Sequence, residues 1–495
     1  MSIQTWYVSG YHKVLPQEEA RENKGIHLYA ARREWEGCQL VLKADRDTAV
    51  RVTVSAATHA GGNSLTAEVF EVLYLEAGSH GTWPDPLRPF EGEWELKAGV
   101  ARSLYLRLHT HEDTVPGEYT GEVTVECGDE RQSSAYTLTV WDFELPATPS
   151  CQTAFGLRRD SLEDYYQLGR DSQEGQAMYA RYYDELLEHK ISAYSLPVDI
   201  LSDEADRYMD DPRVTSFTVP LTDTDEQLNR YFAKLRSKRE WFAKAYFYAL
   251  DEPSSRATYD RMEEISNRLS RLEPNFRQVI PFYMNPQFDI RLSAVESMIG
   301  KVRVWCPESC AWDDLNGCDK IGRGPDNTLG PKMAARQAAG DTVWWYVCCG
   351  PRAPYCNLHI PMAGICHRLL FWQQMQRRVE GLLYWSTDWW QASNGTIDPW
   401  TDMATVKDID PDLFGDGSLF YPGPEGPLPS LRLECIRDGI EDFEYLTLAA
   451  RHLGWETMDA FIGEVTTSLT EYETNEDVFD RVRVRLGEEL EKALA

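Results

Sequence analysis

Positive charge is what this chain of 495 residues is short of: 50 Lys and Arg stand against 80 Asp and Glu, a formal net charge of -30. Such a field repels polyanions, and no basic stripe interrupts it, so the electrostatic footprint of a nucleic-acid binder is missing. Long apolar runs are missing too. No stretch approaches the roughly 18 uninterrupted apolar residues of a membrane span, and the opening MSIQTWYVSGYHKVLPQEE has no apolar core of signal-peptide length. A protein without membrane or nucleic-acid partners is expected, with the cytoplasm as its compartment. A disulfide framework is absent as well, because eleven cysteines is an odd number and their scatter through apparent strands reads as reduced, buried thiols. Neither CPESC with Cys318 nor Cys348 and Cys349 with Cys356 supplies the two tight pairs of a structural zinc site, so no metal or cofactor is expected.

What the chain does have is apolar and aromatic content, 42% and 12%, enough over this length for two or three domains and a large core. Residues 1–147 are short alternating runs broken by turn signals, among them AVRVTVSAA, RSLYLRLHT and GEYTGEVTVECG, and predict an N-terminal β-sandwich. ELPATPS, with two prolines, reads as a linker. From 148 to 453 the rhythm becomes strand, then helix. Eight strand candidates, at 154–158, 191–197, 214–220, 245–252, 278–284, 302–308, 342–350 and 381–390, alternate with amphipathic stretches such as SSRATYDRMEEISNRLSRL. That alternation predicts a (β/α)8 barrel, a TIM barrel, and residues 454–495 a C-terminal helical extension, for a multidomain β plus α/β chain.

In such a barrel the active site lies at the C-terminal ends of the strands. Read there, the sequence offers Arg158, Asp251 and Glu252, Tyr283, Asn285, Trp305, Glu308, Tyr346, Tyr384, Trp385, Asp388, Trp389 and Trp390. Aromatics and acids together suit a sugar, whose C–H faces stack on rings while its hydroxyls take directed hydrogen bonds. Each aromatic taken alone is as well explained by packing in a sheet. The neighbouring acids of KAYFYALDEPSSR are harder to explain as surface charge, because they end an apolar run directly before Pro253. Neighbours on a regular strand face opposite ways, so both reach one pocket only where the strand has ended or bent.

The stretches REWEGCQLVL, PGEYTGEVTV, TVWDFELP, YALDEP, VWWYVCCGPRAPYCNLHI, EGLLYWSTDWW and SLRLECIRDGIEDFEYL, spread over nearly the whole chain, resemble glycoside hydrolase family 123, the β-N-acetylgalactosaminidases and their relatives. The resemblance implies a sandwich followed by a barrel, and retaining, substrate-assisted hydrolysis in which the 2-acetamido carbonyl of the sugar attacks the anomeric carbon, an exception to the two-carboxylate scheme. It puts the catalytic pair on Asp251 and Glu252, with Glu252 as general acid and base and Asp251 holding the acetamido N–H. It gives Tyr283 the task of orienting the acetamido group, and Trp345, Tyr384 and Trp385 the walls of the pocket. Trp305, Tyr346 and Trp390 join the expected binding residues as strand-end aromatics. The expected function is an exo-acting β-N-acetylgalactosaminidase on an amino-sugar glycoside, with a homodimer compatible with the sequence. Another β-linked sugar, or a non-catalytic carbohydrate-binding protein, are the alternatives.

Overall fold

Burial alternates along the N-terminal strands as period-two pleating requires: in Thr48–Val54, Val50 and Val52 are buried while Arg51 and Thr53 are exposed. The computed structural model describes residues 2–253, 255–282, 292–312, 329–392, 395–403 and 412–494. Two sheets face each other across these alternating side chains. One runs in the order Ile3–Ser9, Glu34–Ala44, Ala101–Thr110, Glu68–Glu76 and Thr82–Pro89. The other runs Ile26–Arg32, Glu130–Glu144, Gly117–Cys127, Thr48–Val54 and Glu93–Leu96, antiparallel except for its first pair. Leu40, Leu42, Leu104 and Leu106 from the first sheet meet Val50, Val52, Val123 and Leu138 from the second, and form the core of the sandwich.

The second part is a parallel sheet. Its strands follow the order Gln152–Phe155, Gly381–Tyr384, Thr342–Val347, Val304–Pro307, Gln278–Phe282, Ala245–Tyr248 and Phe217–Thr218, with helices between them in the chain. Seven of the eight expected strand positions are therefore regular strands. The eighth, 191–197, is not, yet it sits between the two edges: the Tyr194 N–H donates to Phe155 O at 2.7 Å, and the Thr218 N–H donates to Tyr194 O at 2.6 Å. Hydroxyl groups take the places of ladder partners there. The Ser192 N–H donates to Thr153 Oγ1, the Thr215 N–H to Ser192 Oγ and the Thr153 N–H to Thr215 Oγ1, at 2.8, 2.8 and 3.1 Å. Side chains that compete for backbone groups in this way break a regular ladder without opening the sheet.

The helix Leu431–His452, in the SLRLECIRDGIEDFEYL stretch, packs against both parts and is buried from Leu431 to Leu446. Its charges are paired across the junction. Arg432 binds Asp85, Glu434 accepts from Arg107 and His189, and Asp442 accepts from Arg368 and Arg483. Arg483 also reaches Glu34 of REWEG, and Glu34 accepts from Tyr445 Oη at 2.5 Å. Burying so many ions is tolerable only because each is hydrogen-bonded to an opposite charge. These two motifs hold the parts together, which is why they mark the architecture and not the substrate.

Candidate active site

The strand carrying the acid pair ends early. Ala245–Tyr248 is regular, and by Glu252 the backbone has swung to φ +39°, a left-handed conformation that costs a non-glycine residue on the order of 1–3 kcal/mol. This turn removes the parity problem of neighbours on a strand. Each acid is then tied to a tyrosine on the inner face of the parallel sheet. Tyr248 Oη donates to Asp251 Oδ1 at 2.8 Å, and Tyr346 Oη donates to Glu252 Oε1 at 2.5 Å. Burial first, then the charges of Glu308 and Glu252, push the Tyr346 hydroxyl well above its usual range, so it stays a donor. Tyr248 is raised likewise by burial, by Tyr194 and by Asp251. Asp251 itself is exposed and Glu252 half-buried, the disposition of groups that can meet a ligand.

Tyr346 is an inward residue. It shares the inner cluster with Ala154, Tyr246, Val279, Val304, Cys306, Trp344 and Leu383, with Tyr194, Tyr248 and Cys348 packed on them. Glu308, buried, is bridged to Tyr346 at the end of the neighbouring strand. Trp385 is half-buried and donates Nε1–H to Asp416 Oδ1 at 3.0 Å, while Tyr384 Oη donates to the same oxygen at 3.2 Å. Burial pushes Asp416 up to about 7, against the Trp385 bond and with the Cys349 charge adding to the rise. Gly417 lies against the Trp385 ring: it has φ +71°, and a Cβ there would stand 2.1 Å from Cζ2.

Three of the expected binding aromatics are not where a ligand could touch them. Trp305 and Trp345 point outward, by strand parity, into the helical layer, where their Nε1–H groups donate to Asp341 and Gln374 at 3.0 and 3.1 Å. Trp390 is fully buried, donates to Ser418 Oγ at 3.0 Å and packs edge-on against Tyr165 and Tyr182. All three are core residues. Tyr384 is fully buried too, and supports Asp416 from behind. Tyr283 and Asn285 lie outside the described residues. Asp388 is fully buried and accepts from the backbone N–H of Arg158 with both oxygens, at 3.0 and 3.2 Å, while burial raises its pKa well above the carboxylate range.

Tyr248, Tyr194 and Asp416 were not singled out from the sequence. Tyr248 had a readable cue, since it precedes Asp251 by three residues on the same strand end, and Asp416 sits between two glycines in LFGDGSLF. Among the described residues no group of three or more His, Cys, Asp or Glu is placed to hold a metal ion, and no helix is long and apolar enough to cross a membrane.

Comparison with known proteins bears on the family and the fold. No curated protein matches the chain. Among solved structures, a family 123 glycoside hydrolase from Clostridium perfringens, described in connection with glycolipid glycan hydrolysis, superposes with a TM-score of 0.69 over 99% of this chain and 98% of that one, at 12% identity. A β-glucuronidase from Parabacteroides merdae aligns over 71% of this chain and 45% of its own at 13% identity, but its TM-score of 0.25 is too low to carry an argument. The shared fold agrees with the sequence match, in which residues 186–449 fit the family model described as glycoside hydrolase 123, catalytic domain. That match spans the acid pair, both tyrosines that hold it and more than half of the chain, which belongs to glycoside hydrolase family 123.

Proposed function

We propose that the protein is a retaining exo-β-N-acetylgalactosaminidase whose parallel ring of strands acts as a (β/α)8 barrel. The observation that carries this is the adjacent pair Asp251 and Glu252, turned toward one side by the bend at Glu252 and each held by a tyrosine from the ring interior. In the first step the acetamido carbonyl oxygen attacks the anomeric carbon while Glu252 gives its proton to the leaving oxygen. In the second step Glu252 takes a proton from water, which opens the oxazolinium with net retention. Asp251 accepts the acetamido N–H and faces the positive ring. Groups on neighbouring residues suit the task because the glycosidic oxygen and the nitrogen sit on adjacent ring carbons. Tyr346 and Tyr248 fix the two carboxylates before substrate arrives, so little is spent on ordering them. Trp385, held by Asp416 and Gly417, supplies an apolar wall. The Clostridium perfringens protein supports the fold, and the sugar follows from the family resemblance that puts the acetamido-handling pair on Asp251 and Glu252.

A panel of chromogenic β-linked GalNAc, GlcNAc, galactose and glucose substrates tests the reading. GalNAc turned over well ahead of galactose is the expected outcome, because galactose lacks the internal nucleophile. Equal rates on galactose and GalNAc would remove the substrate-assisted mechanism.

A further inference from the structure

The described residues include ten cysteines, all as thiols; eight are buried and two, Cys348 and Cys349, are partly exposed. Their sulfurs stand 3.8 Å apart. Cys348 follows Tyr346 by two residues and packs against the same inner cluster, so the pair borders the tyrosine that holds Glu252. The Cys348 backbone is gripped on both sides: its carbonyl accepts from Asn357 Nδ2 and pairs with His359 Nε2, each at 2.9 Å, and its N–H donates to Gly350 O at 2.8 Å. Nothing in the hydrolytic mechanism uses two thiols at this place.

We propose that Cys348 and Cys349 form a modification site that takes a low-molecular-weight disulfide as oxidant, closes to a vicinal disulfide and displaces Tyr346, lowering turnover. The bond-forming chemistry stands on the cysteine geometry alone, while its effect on turnover rests on Glu252 as the acid. The Cys348 thiol is pushed up by its hydrogen bond with Cys349 and then by burial, which disfavours its thiolate, and the first attack is assigned to Cys349. Its thiolate cleaves the S–S bond of the oxidant, releases one small thiolate and leaves a mixed disulfide. Cys348 then attacks the Cys349 sulfur and releases the second. The pair loses two protons and two electrons, and the oxidant becomes two thiols.

The closed form is reversible by construction. Adjacent Cα atoms are about 3.8 Å apart, below the roughly 4.4–6.8 Å that disulfides prefer. Closure therefore forces the Cys348–Cys349 peptide away from its relaxed geometry, and strained disulfides are the labile, regulatory kind. The same forced movement is transmitted along the strand to Tyr346. Cys348 and Cys349 are the two partly exposed cysteine residues among the ten described, and the other eight are buried, so the oxidant reaches this pair first.

Full-length protein and Cys349→Ser are incubated with glutathione disulfide, digested, mapped by mass spectrometry and assayed on the chromogenic β-GalNAc substrate. In the wild type a bond within the peptide carrying both residues is expected, with turnover falling by up to about 10²-fold, as misplacement near a catalytic group implies, and returning with dithiothreitol. Cys349→Ser forms no such bond and keeps the rate of its own untreated sample. A bond mapped elsewhere, for example Cys356 to Cys366, glutathione adducts without closure, or closure with unchanged turnover overturns the proposal. If untreated protein hydrolyses nothing in the panel, the functional reading fails, and the mapped bond still decides the modification site.

Discussion

Replacing Tyr346 with Phe removes one oxygen and leaves the packing of an inward ring intact, so its effect isolates the hydrogen bond to Glu252. That bond, 2.5 Å from Tyr346 Oη to Oε1, stabilises the carboxylate and not the acid. A hydrogen bond to a charged group contributes about 1.5–3 kcal/mol, and 1.36 kcal/mol corresponds to one pH unit, which gives a shift of roughly 1–2 units. Water entering beside Phe offsets part of this, so about one unit is expected. The sign follows from the loss: without the donor, Glu252 holds its proton to higher pH. The alkaline limb of kcat/KM, which reports the general acid, should move upward in Tyr346→Phe, while the acid limb stays in place. The tyrosine does not set this limb itself, because burial keeps its hydroxyl protonated. An alkaline limb that does not move, or moves downward, would refute Glu252 as the acid held by Tyr346.

Gly417→Ala should destabilise the protein by roughly 2–5 kcal/mol, the sum of about 1–2 for a left-handed backbone and about 1–3 for overpacking, because its Cβ would stand 2.1 Å from the Trp385 ring. Denaturant unfolding checks this, and a loss under about 0.5 kcal/mol would contradict it. Arg432→Met should cost about 3 kcal/mol by leaving the buried Asp85 with Lys13 as its counter-charge and the Tyr421 hydroxyl as its remaining close donor. Burial raises the Asp85 pKa, but Arg432 and Lys13 outweigh it and bring it down to about 2. The stability this pair supplies is thus complete above about pH 4 and lost as pH falls toward about 2. In Arg432→Met the acid unfolding midpoint should rise, and an unchanged midpoint would argue against the pair.

The strand-and-helix rhythm and the acid pair were legible because they depend on local signals: alternating burial, amphipathic period and a proline after two acids. Which face of a strand looks inward was not. Parallel strands are buried on both faces, so TVWWYV has no polar side to break the tie between Trp344 and Tyr346 on one face and Trp345 on the other. Parity set by the packed helices decided it, and Trp305 fell on the outer face by the same rule. The chain at 191–197 looked like a strand because its apolar residues fit one. Whether its hydroxyls and those of Thr153 and Thr215 would take the ladder bonds depends on segments far away in sequence. Asp416 was hidden for the same reason, since its importance comes from Trp385 and Tyr384, some 30 residues earlier.

The most direct measurement compares inhibition by a thiazoline made from GalNAc with inhibition by GalNAc itself, in the wild type and in Asp251→Asn. The thiazoline mimics the oxazolinium, and a mimic of such a species should bind at least about 10²-fold more tightly than the product sugar. In Asp251→Asn this advantage should shrink while GalNAc affinity changes little, because the lost charge faces the intermediate. A thiazoline that inhibits no better than GalNAc, or a 2-fluoro sugar that traps a covalent adduct on Glu308 or Asp388, would contradict the account.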